Sequence, residues 1–164
     1  MNKILVKPII LFLLFSITSC SYKPIFLEKN YDFQIREISL VGDKDINRTI
    51  QNKLKFIKNN DSKDKKSYTI NINSTKNREI VSKDSKGDPV KFEINVLVEY
   101  KILINNNTLL DTKIEKKNIY SNDSDPFKLE QTENIILQNL SESVGDAIIS
   151  VSYTHLTLPT ICSV

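Results

Sequence analysis

A run of alternating apolar residues between positions 92 and 104 constrains the fold of this chain more than any other feature. In "FEINVLVEYKILI", Phe92 and every second residue as far as Ile104 are apolar. A period of two places these side chains on one face of a β-strand. The intervening positions are mainly polar, with Leu97 and Leu103 as the exceptions. The sequence therefore predicts a sheet with one buried face and one mainly polar face.

Two turns connect this strand to its neighbours. "DSKGDP" at 84–89 has the residues of a tight turn, and "YTININ" before it also alternates. The triplet "NNN" at 105–107 predicts a second turn, after which "TLLDTKIEKKNIYS" predicts a further strand. The three strands are therefore expected to form an antiparallel meander.

The segment "DFQIREISLVG" at 32–42 predicts an earlier strand whose apolar residues change parity. Phe33 and Ile35 share one parity, whereas Ile38 and Leu40 share the other. Because one extra residue reverses the alternation, this strand is expected to contain a β-bulge.

Two amphipathic helices complete the pattern. Asp45 is the predicted N-cap of the first, and Asp125 with Pro126 forms the predicted start of the second. Apolar residues three or four positions apart give each helix one buried stripe. The two stripes are Ile46, Ile50, Leu54 and Ile57 in the first helix, and Ile136, Leu140, Val144 and Ile148 in the second.

These elements predict an α+β fold with the order β-α-β-β-β-α. Each helix has one apolar stripe and the sheet has one apolar face, so two helices are expected to pack on one face of a four-stranded, mostly antiparallel sheet. Because a helix connects the first strand to the meander, that strand is expected to lie parallel to its neighbour.

Residues 1–19 have the features of a bacterial lipoprotein signal peptide. Lys3 and Lys7 precede an uncharged stretch that is about half the ~20 residues needed to span a bilayer. "ITSC" at 17–20 resembles the lipobox, which implies cleavage before Cys20 and diacylation of its sulfur. Residues 20–31 then form a lipidated tether and residues 32–150 the folded domain. The alternative is an ordinary secretory signal that ends by chance in a cysteine.

The sequence offers little material for catalysis or metal binding. It contains one His, two Cys and three separated Gly residues. These do not provide a Ser-His-Asp set, a metal cluster or a glycine-rich phosphate loop. No cluster of Arg and aromatic residues predicts a nucleic-acid surface. We therefore expect a protein that is not an enzyme, has no cofactor and binds no nucleic acid.

Two motifs and the element order resemble the lipopolysaccharide-assembly lipoprotein (LptE) family of alphaproteobacteria. "CSYKPIF" at 20–26 is similar to the family's opening, although Ser21 replaces the usual Gly, and "SNDSDPFKLEQTEN" is similar to the acidic segment before its last helix. The resemblance covers residues 1–150. It implies a lipoprotein, attached through Cys20 to the periplasmic side of the outer membrane, that plugs and supports an LptD-type β-barrel translocon. It also implies binding of lipopolysaccharide without a covalent step.

The resemblance further implies two basic positions that contact lipopolysaccharide. One lies at the tip of the hairpin between the second and third strands, where Lys86 falls, and the other precedes the last helical stripe, where Lys128 falls. Lys83 and Lys91 flank the hairpin tip and add positive charge that attracts the phosphates of lipid A. The alternative is that all four are ordinary solvated lysines in a lysine-rich chain.

Two further points remain open at the level of sequence. Tyr22, Tyr120 and Phe127 are candidate contacts with the barrel, the alternative being local packing. The whole chain is alternatively a pilotin-like lipoprotein chaperone for another outer-membrane barrel or a secretin.

Residues 151–164 differ in composition from the rest of the chain. "VSYTHLTLPTICSV" contains no Asp, Glu, Lys or Arg. His155 and Cys162 are too few to make a catalytic or metal site. The other interpretations are a C-terminal strand and a segment that does not belong to the natural protein, and the change in composition favours the latter.

Overall fold

The expected order of helices and strands is present in the computed structural model, which describes residues 33–58 and 66–157. These residues belong to the second of two units into which the chain divides, Tyr31–Val164; the first, Met1–Asn30, lies outside them. The α+β prediction is confirmed. The elements are β1 (Phe33–Gly42), α1 (Lys44–Lys58), β2 (Lys66–Lys83), β3 (Pro89–Ile104), β4 (Asn107–Ser121) and α2 (Pro126–Thr157).

The sheet has the strand order β1-β2-β3-β4. β1 lies parallel to β2, whereas β2, β3 and β4 form the antiparallel meander. The register of β1 shifts between Ile35 and Glu37. This irregularity lies between the two parity groups of β1, so the predicted bulge is confirmed.

One face of the sheet and one stripe of each helix form the core. Ile104, at the end of the alternating run, is only half-buried, and Ile57 lies outside the described side chains. The predicted stripes are otherwise largely confirmed, with Leu137 buried in place of the half-buried Ile136. The buried sheet residues include Ile35, Ile70, Ile72, Phe92, Ile94, Val96, Val98, Tyr100 and Ile102, and the buried helix residues include Ile46, Ile50, Leu54, Leu140, Val144 and Ile148.

The N-cap predicted for α1 is wrong by two positions. The carboxylate of Asp43, not that of Asp45, accepts the backbone N–H groups of Asp45 and Ile46, at 3.0 and 3.1 Å. The reason is that β1 ends at Gly42 and the helix begins immediately at Lys44. The second cap is confirmed, because Asp125 accepts the N–H of Phe127 at 3.0 Å and α2 begins at Pro126.

The turn between β3 and β4 uses left-handed backbone. Asn105 and Asn106 have φ values of 47° and 67°. Two consecutive residues at positive φ are typical of a type I′ hairpin turn, and Asn tolerates this conformation better than most residues. The turn predicted from the "NNN" triplet is therefore confirmed.

The last helix continues into the compositionally unusual tail. α2 extends to Thr157, with Ser152 buried, Val151 and Leu156 half-buried against the core, and His155 exposed. The alternative of a C-terminal strand is therefore wrong for residues 151–157. Cys162 lies outside the described residues, and the non-native origin of the tail stays a prediction.

Tyr100 makes the stability of the domain sensitive to alkali. Its side chain is fully buried, its hydroxyl has no hydrogen-bond partner among the described residues, and burial raises its pKa to about 12. The unfolded chain loses this proton near pH 10, so folding stability falls as the pH rises from about 10 to 12. In Tyr100→Phe the free energy of unfolding is expected to fall by up to about 2–3 kcal/mol less over this pH range. Urea unfolding of both proteins at pH 8 and pH 11.5 measures the difference. Equal losses in both proteins would contradict the assignment to Tyr100, since the remaining tyrosines are common to both.

Candidate functional site

The four predicted lysines lie at one end of the domain, which we call the lysine end (Lys83, Lys86, Lys91 and Lys128). Lys83 and Lys91 lie in β2 and β3 beside the hairpin turn that carries Lys86. The segment after β4 is held against the same hairpin, because Asn122 donates its backbone N–H to the Val90 carbonyl at 2.8 Å. α2 starts four residues later, so Lys128 lies in its first turn at this end.

The hairpin turn that carries Lys86 is held by the carboxylate of Asp84. It accepts the backbone N–H groups of Lys86 at 2.8 Å and Asp88 at 2.9 Å. Gly87 takes a φ of 92°, which a residue without Cβ adopts freely. The backbone at Lys86 is therefore fixed while its side chain points into solvent.

Three nearby carboxylates are bonded to backbone amides, whereas the four lysines form no ion pair with them. Asp84, Asp123 and Asp125 each accept backbone N–H groups. Within residues 33–58 and 66–157, none of the four lysines of the lysine end forms an ion pair, and all four are exposed. Their ammonium groups are therefore free to contact an anion from outside the domain.

A polar cluster beneath the lysine end joins the hairpin to α2. The Nε of Arg78 donates to the hydroxyl of Tyr120 at 3.0 Å, and that hydroxyl donates to Oε1 of Glu133 at 2.5 Å. Arg78 Nε also lies 2.8 Å from Glu133 Oε1, and the guanidinium carbon lies 3.8 Å from the centre of the Phe92 ring. The cluster therefore connects β2, β4 and α2 next to the lysine end.

The charges of this cluster are internally balanced. The hydrogen bond to Tyr120 is the largest cause of a raised Arg78 pKa, and burial is the largest cause of a raised Tyr120 pKa. Arg78 therefore stays cationic and Tyr120 stays protonated at neutral pH. Because Glu133 neutralises Arg78, the guanidinium has a structural role and is not counted among the free cations.

The sequence interpretation missed this cluster, although one signal was present. Arg78 continues the inward parity of Ile70, Ile72 and Ser74 along β2, and a cation at an inward position requires a partner. Among the candidate barrel contacts, Tyr120 is buried in this cluster, whereas Phe127 is 73% exposed. Tyr22 and the predicted lipidation site Cys20 lie outside the described residues.

The described residues contain neither a metal-binding cluster nor a helix able to cross a membrane. In that part of the chain no group of three or more His, Cys, Asp or Glu side chains is placed to hold a metal ion. The same residues include no helix with the length and apolar character needed to cross a membrane.

The fold is one found in bacterial lipoproteins. It is similar to rare lipoprotein B from Shewanella oneidensis, with a TM-score of 0.57, 16% identity, and coverage of 73% of this chain and 96% of that one. A minor lipoprotein from Acinetobacter baumannii matches with a TM-score of 0.54, 14% identity, and coverage of 80% and 99%. A protein from Caulobacter crescentus matches with a TM-score of 0.53, 14% identity, and coverage of 75% and 93%. At these identities the likeness shows a shared fold.

Comparison of the sequence alone assigns the chain to no family. No protein-family profile matches the chain, and no curated protein sequence matches it.

Proposed function

We propose that this chain is an outer-membrane lipoprotein that plugs and supports the β-barrel translocon of lipopolysaccharide and binds lipopolysaccharide during its assembly in the outer leaflet. In this role the chain performs no covalent step. Acylated Cys20 anchors it on the periplasmic side, and the lysine end contacts the anionic phosphates of lipid A. The fold it shares with bacterial lipoproteins is consistent with this role.

The observation that carries the proposal is the separation of the tether from the lysine end. Phe33, where the tether joins the domain, pairs with Lys66 at one end of β2, and Lys83 lies at the other. The strand is 18 residues long, so its ends lie about 56 Å apart at ~3.3 Å per residue. A bilayer with its headgroups is about 40–45 Å thick. A domain standing inside a barrel therefore has the length to carry its lysines from the periplasmic side towards the outer leaflet.

Binding of lipid A phosphates is expected to depend on Lys86 and Lys128. Lys→Ala at both positions removes two unpaired cations from the lysine end, and we expect lipopolysaccharide affinity to fall at least about tenfold, or ~1.4 kcal/mol. Both side chains are exposed, so the melting temperature is expected to change little. Titration of the purified full-length chain in detergent with lipopolysaccharide, at low and high salt, measures the effect.

A charge-matched control separates a specific site from general attraction. Lys66→Ala with Lys113→Ala also removes two exposed lysines, but neither lies at the lysine end. The proposal requires that this control bind normally. Equal weakening in the two double variants, or normal binding in both, would show that lipopolysaccharide does not bind specifically at the lysine end.

The barrel partner is tested by co-purification of the acylated protein. We expect the lipopolysaccharide-transport barrel to be recovered in stoichiometric amount. Recovery of a secretin instead would favour the pilotin-like alternative.

A further inference from the structure

A cleft opens between the N-terminal halves of α1 and α2. The two helices lie close together at Gly145, where a Cβ would lie 3.2 Å from Cγ of Lys53. An ion pair of 3.0 Å between Lys53 and Asp146 holds them there. Towards their N-termini the helices border an open cleft of about 460 Å³, which is within the ~300–1,000 Å³ usual for ligand sites.

The cleft is polar rather than apolar. Its inner surface includes the buried residues Leu137 and Ser141. Carboxylate, guanidinium, hydroxyl and amide groups line its walls, so hydrogen-bond donors and acceptors alternate around the opening. The wall residues are Asp45, Arg48, Thr49, Asn52, Asn134 and Gln138.

Most of these wall groups are uncommitted. Among the described residues, the side chains of Asp45, Arg48, Thr49 and Asn134 form no hydrogen bond or ion pair. Gln138 donates to Glu142 at 3.1 Å through its Nε2, which leaves its carbonyl oxygen available. The cleft therefore presents several free donors and acceptors at fixed positions on two helices.

This arrangement suits a polyhydroxylated ligand. One carboxylate and one guanidinium balance each other, so the cleft selects neither anions nor cations by net charge. Each sugar hydroxyl both donates and accepts, and can therefore donate to Asp45 while it accepts from Arg48, and two neighbouring hydroxyls can bond to the oxygen and the nitrogen of the Asn134 amide. An acyl chain would bond to none of these groups and would leave them desolvated without partners.

We propose that the α1–α2 cleft binds the saccharide portion of lipopolysaccharide; this rests on the proposed function and adds a second subsite to it. Lys128 and Asn134 are six residues apart on α2, which at 1.5 Å per residue is about 9 Å. Phosphates held at the lysine end and sugars held in the cleft therefore belong to neighbouring parts of one molecule. A second cavity of about 110 Å³, lined in part by Lys76 and Arg78, shares Asn134 and Leu137 with the cleft.

The test uses the two products of mild acid hydrolysis of lipopolysaccharide, the water-soluble core oligosaccharide and lipid A. Each is titrated into the full-length chain in detergent, with calorimetry for affinity and NMR of the Asn134 and Gln138 side-chain amides for location. Arg48→Ala with Asn134→Ala is expected to weaken oligosaccharide binding at least tenfold and lipid A binding less than twofold. Both side chains are exposed, so the variant is expected to fold.

The matched control is Arg36→Ala with Asn139→Ala, which removes the same residue types at exposed positions outside the cleft. It is expected to bind the oligosaccharide normally. Equal weakening in the two variants, or amide shifts confined to residues outside the cleft, would overturn the assignment.

The outcome for this subsite is separable from that for the proposed function. If the oligosaccharide does not bind while lipid A binds and depends on Lys86 and Lys128, the cleft is not a saccharide site and the proposed function stands. If the oligosaccharide binds in the cleft while Lys→Ala at Lys86 and Lys128 leaves lipid A affinity unchanged, the saccharide subsite stands and the lysine end has no role in binding.

Discussion

Gly42→Ala is expected to lower the free energy of unfolding by about 4 kcal/mol, a value at the upper end for a single substitution. Gly42 has a φ of 100°, and a Cβ at this position would lie 1.9 Å from the backbone oxygen of Ser74. That oxygen accepts the N–H of Asp43 at 3.1 Å, so it cannot move without loosening the start of α1. The expected result is a large fall in the urea midpoint with an unchanged slope.

The surroundings of Gly42 explain why the structure cannot relax around the new methyl group. The hydroxyl of Ser74 donates to Oδ1 of Asn47 at 2.8 Å, and the amide of Asn47 donates to the Val41 carbonyl at 3.1 Å. This network, which is largely buried, joins the end of β1, the first turn of α1 and the middle of β2. A shift of Ser74 therefore breaks hydrogen bonds that water does not readily replace.

Gly87→Ala is the matched control because it separates backbone strain from steric contact. Gly87 has a similar φ of 92°, but a Cβ there has nothing within 4 Å. It is expected to cost only about 1–2 kcal/mol, the strain of the left-handed conformation. Equal losses for the two glycine variants would show that strain alone dominates and that the contact with Ser74 is relieved by relaxation.

The fold was predictable from sequence because its signals are periodic and redundant. The alternation from Phe92 to Ile102 defined a one-sided sheet, and the parity change after Ile35 located the bulge. A helix between β1 and β2 requires a crossover, and a crossover favours the observed parallel pairing. Each of these inferences depends on spacing along the chain, which a sequence contains directly.

The details that were missed depend on contacts between distant residues. Asp43 and Asp45 are equivalent as caps by residue type, and the choice depends on where β1 ends against Ser74. The partners of Arg78 lie 42 and 55 positions along the chain, at Tyr120 and Glu133. No local pattern specifies such a triad.

The candidate site was predictable only in part. The positions of Lys86 and Lys128 came from a family resemblance, and the structure adds that they lie at one end, where the carboxylates of Asp84 and Asp125 are bonded to backbone amides. The cleft between α1 and α2 was not foreseen. Arg48 and Asn134 are ordinary polar residues on the outer faces of two helices until the divergence of those helices brings them to one cavity.

Ile50→Ala is expected to cost about 3–4 kcal/mol because it removes a fully buried side chain where the helices cross. The crossing is tight, since a Cβ on Gly145 would lie 3.9 Å from the Ile50 Cα. Backbones already this close cannot move together to fill the space left by the side chain, so most of the cavity is expected to persist.

Ile135→Ala gives the same chemical change on α2 at a position that is 53% exposed, and it is expected to change stability by less than about 0.5 kcal/mol. Both substitutions replace Ile by Ala within a helix, so the gain in helix propensity is common to both and cancels in their difference. Urea denaturation of the two variants therefore measures the packing of the Ile50 side chain in the core. A difference below about 1 kcal/mol would mean that the structure closes around the missing side chain, contrary to the expectation drawn from the close approach of the two helices at Gly145.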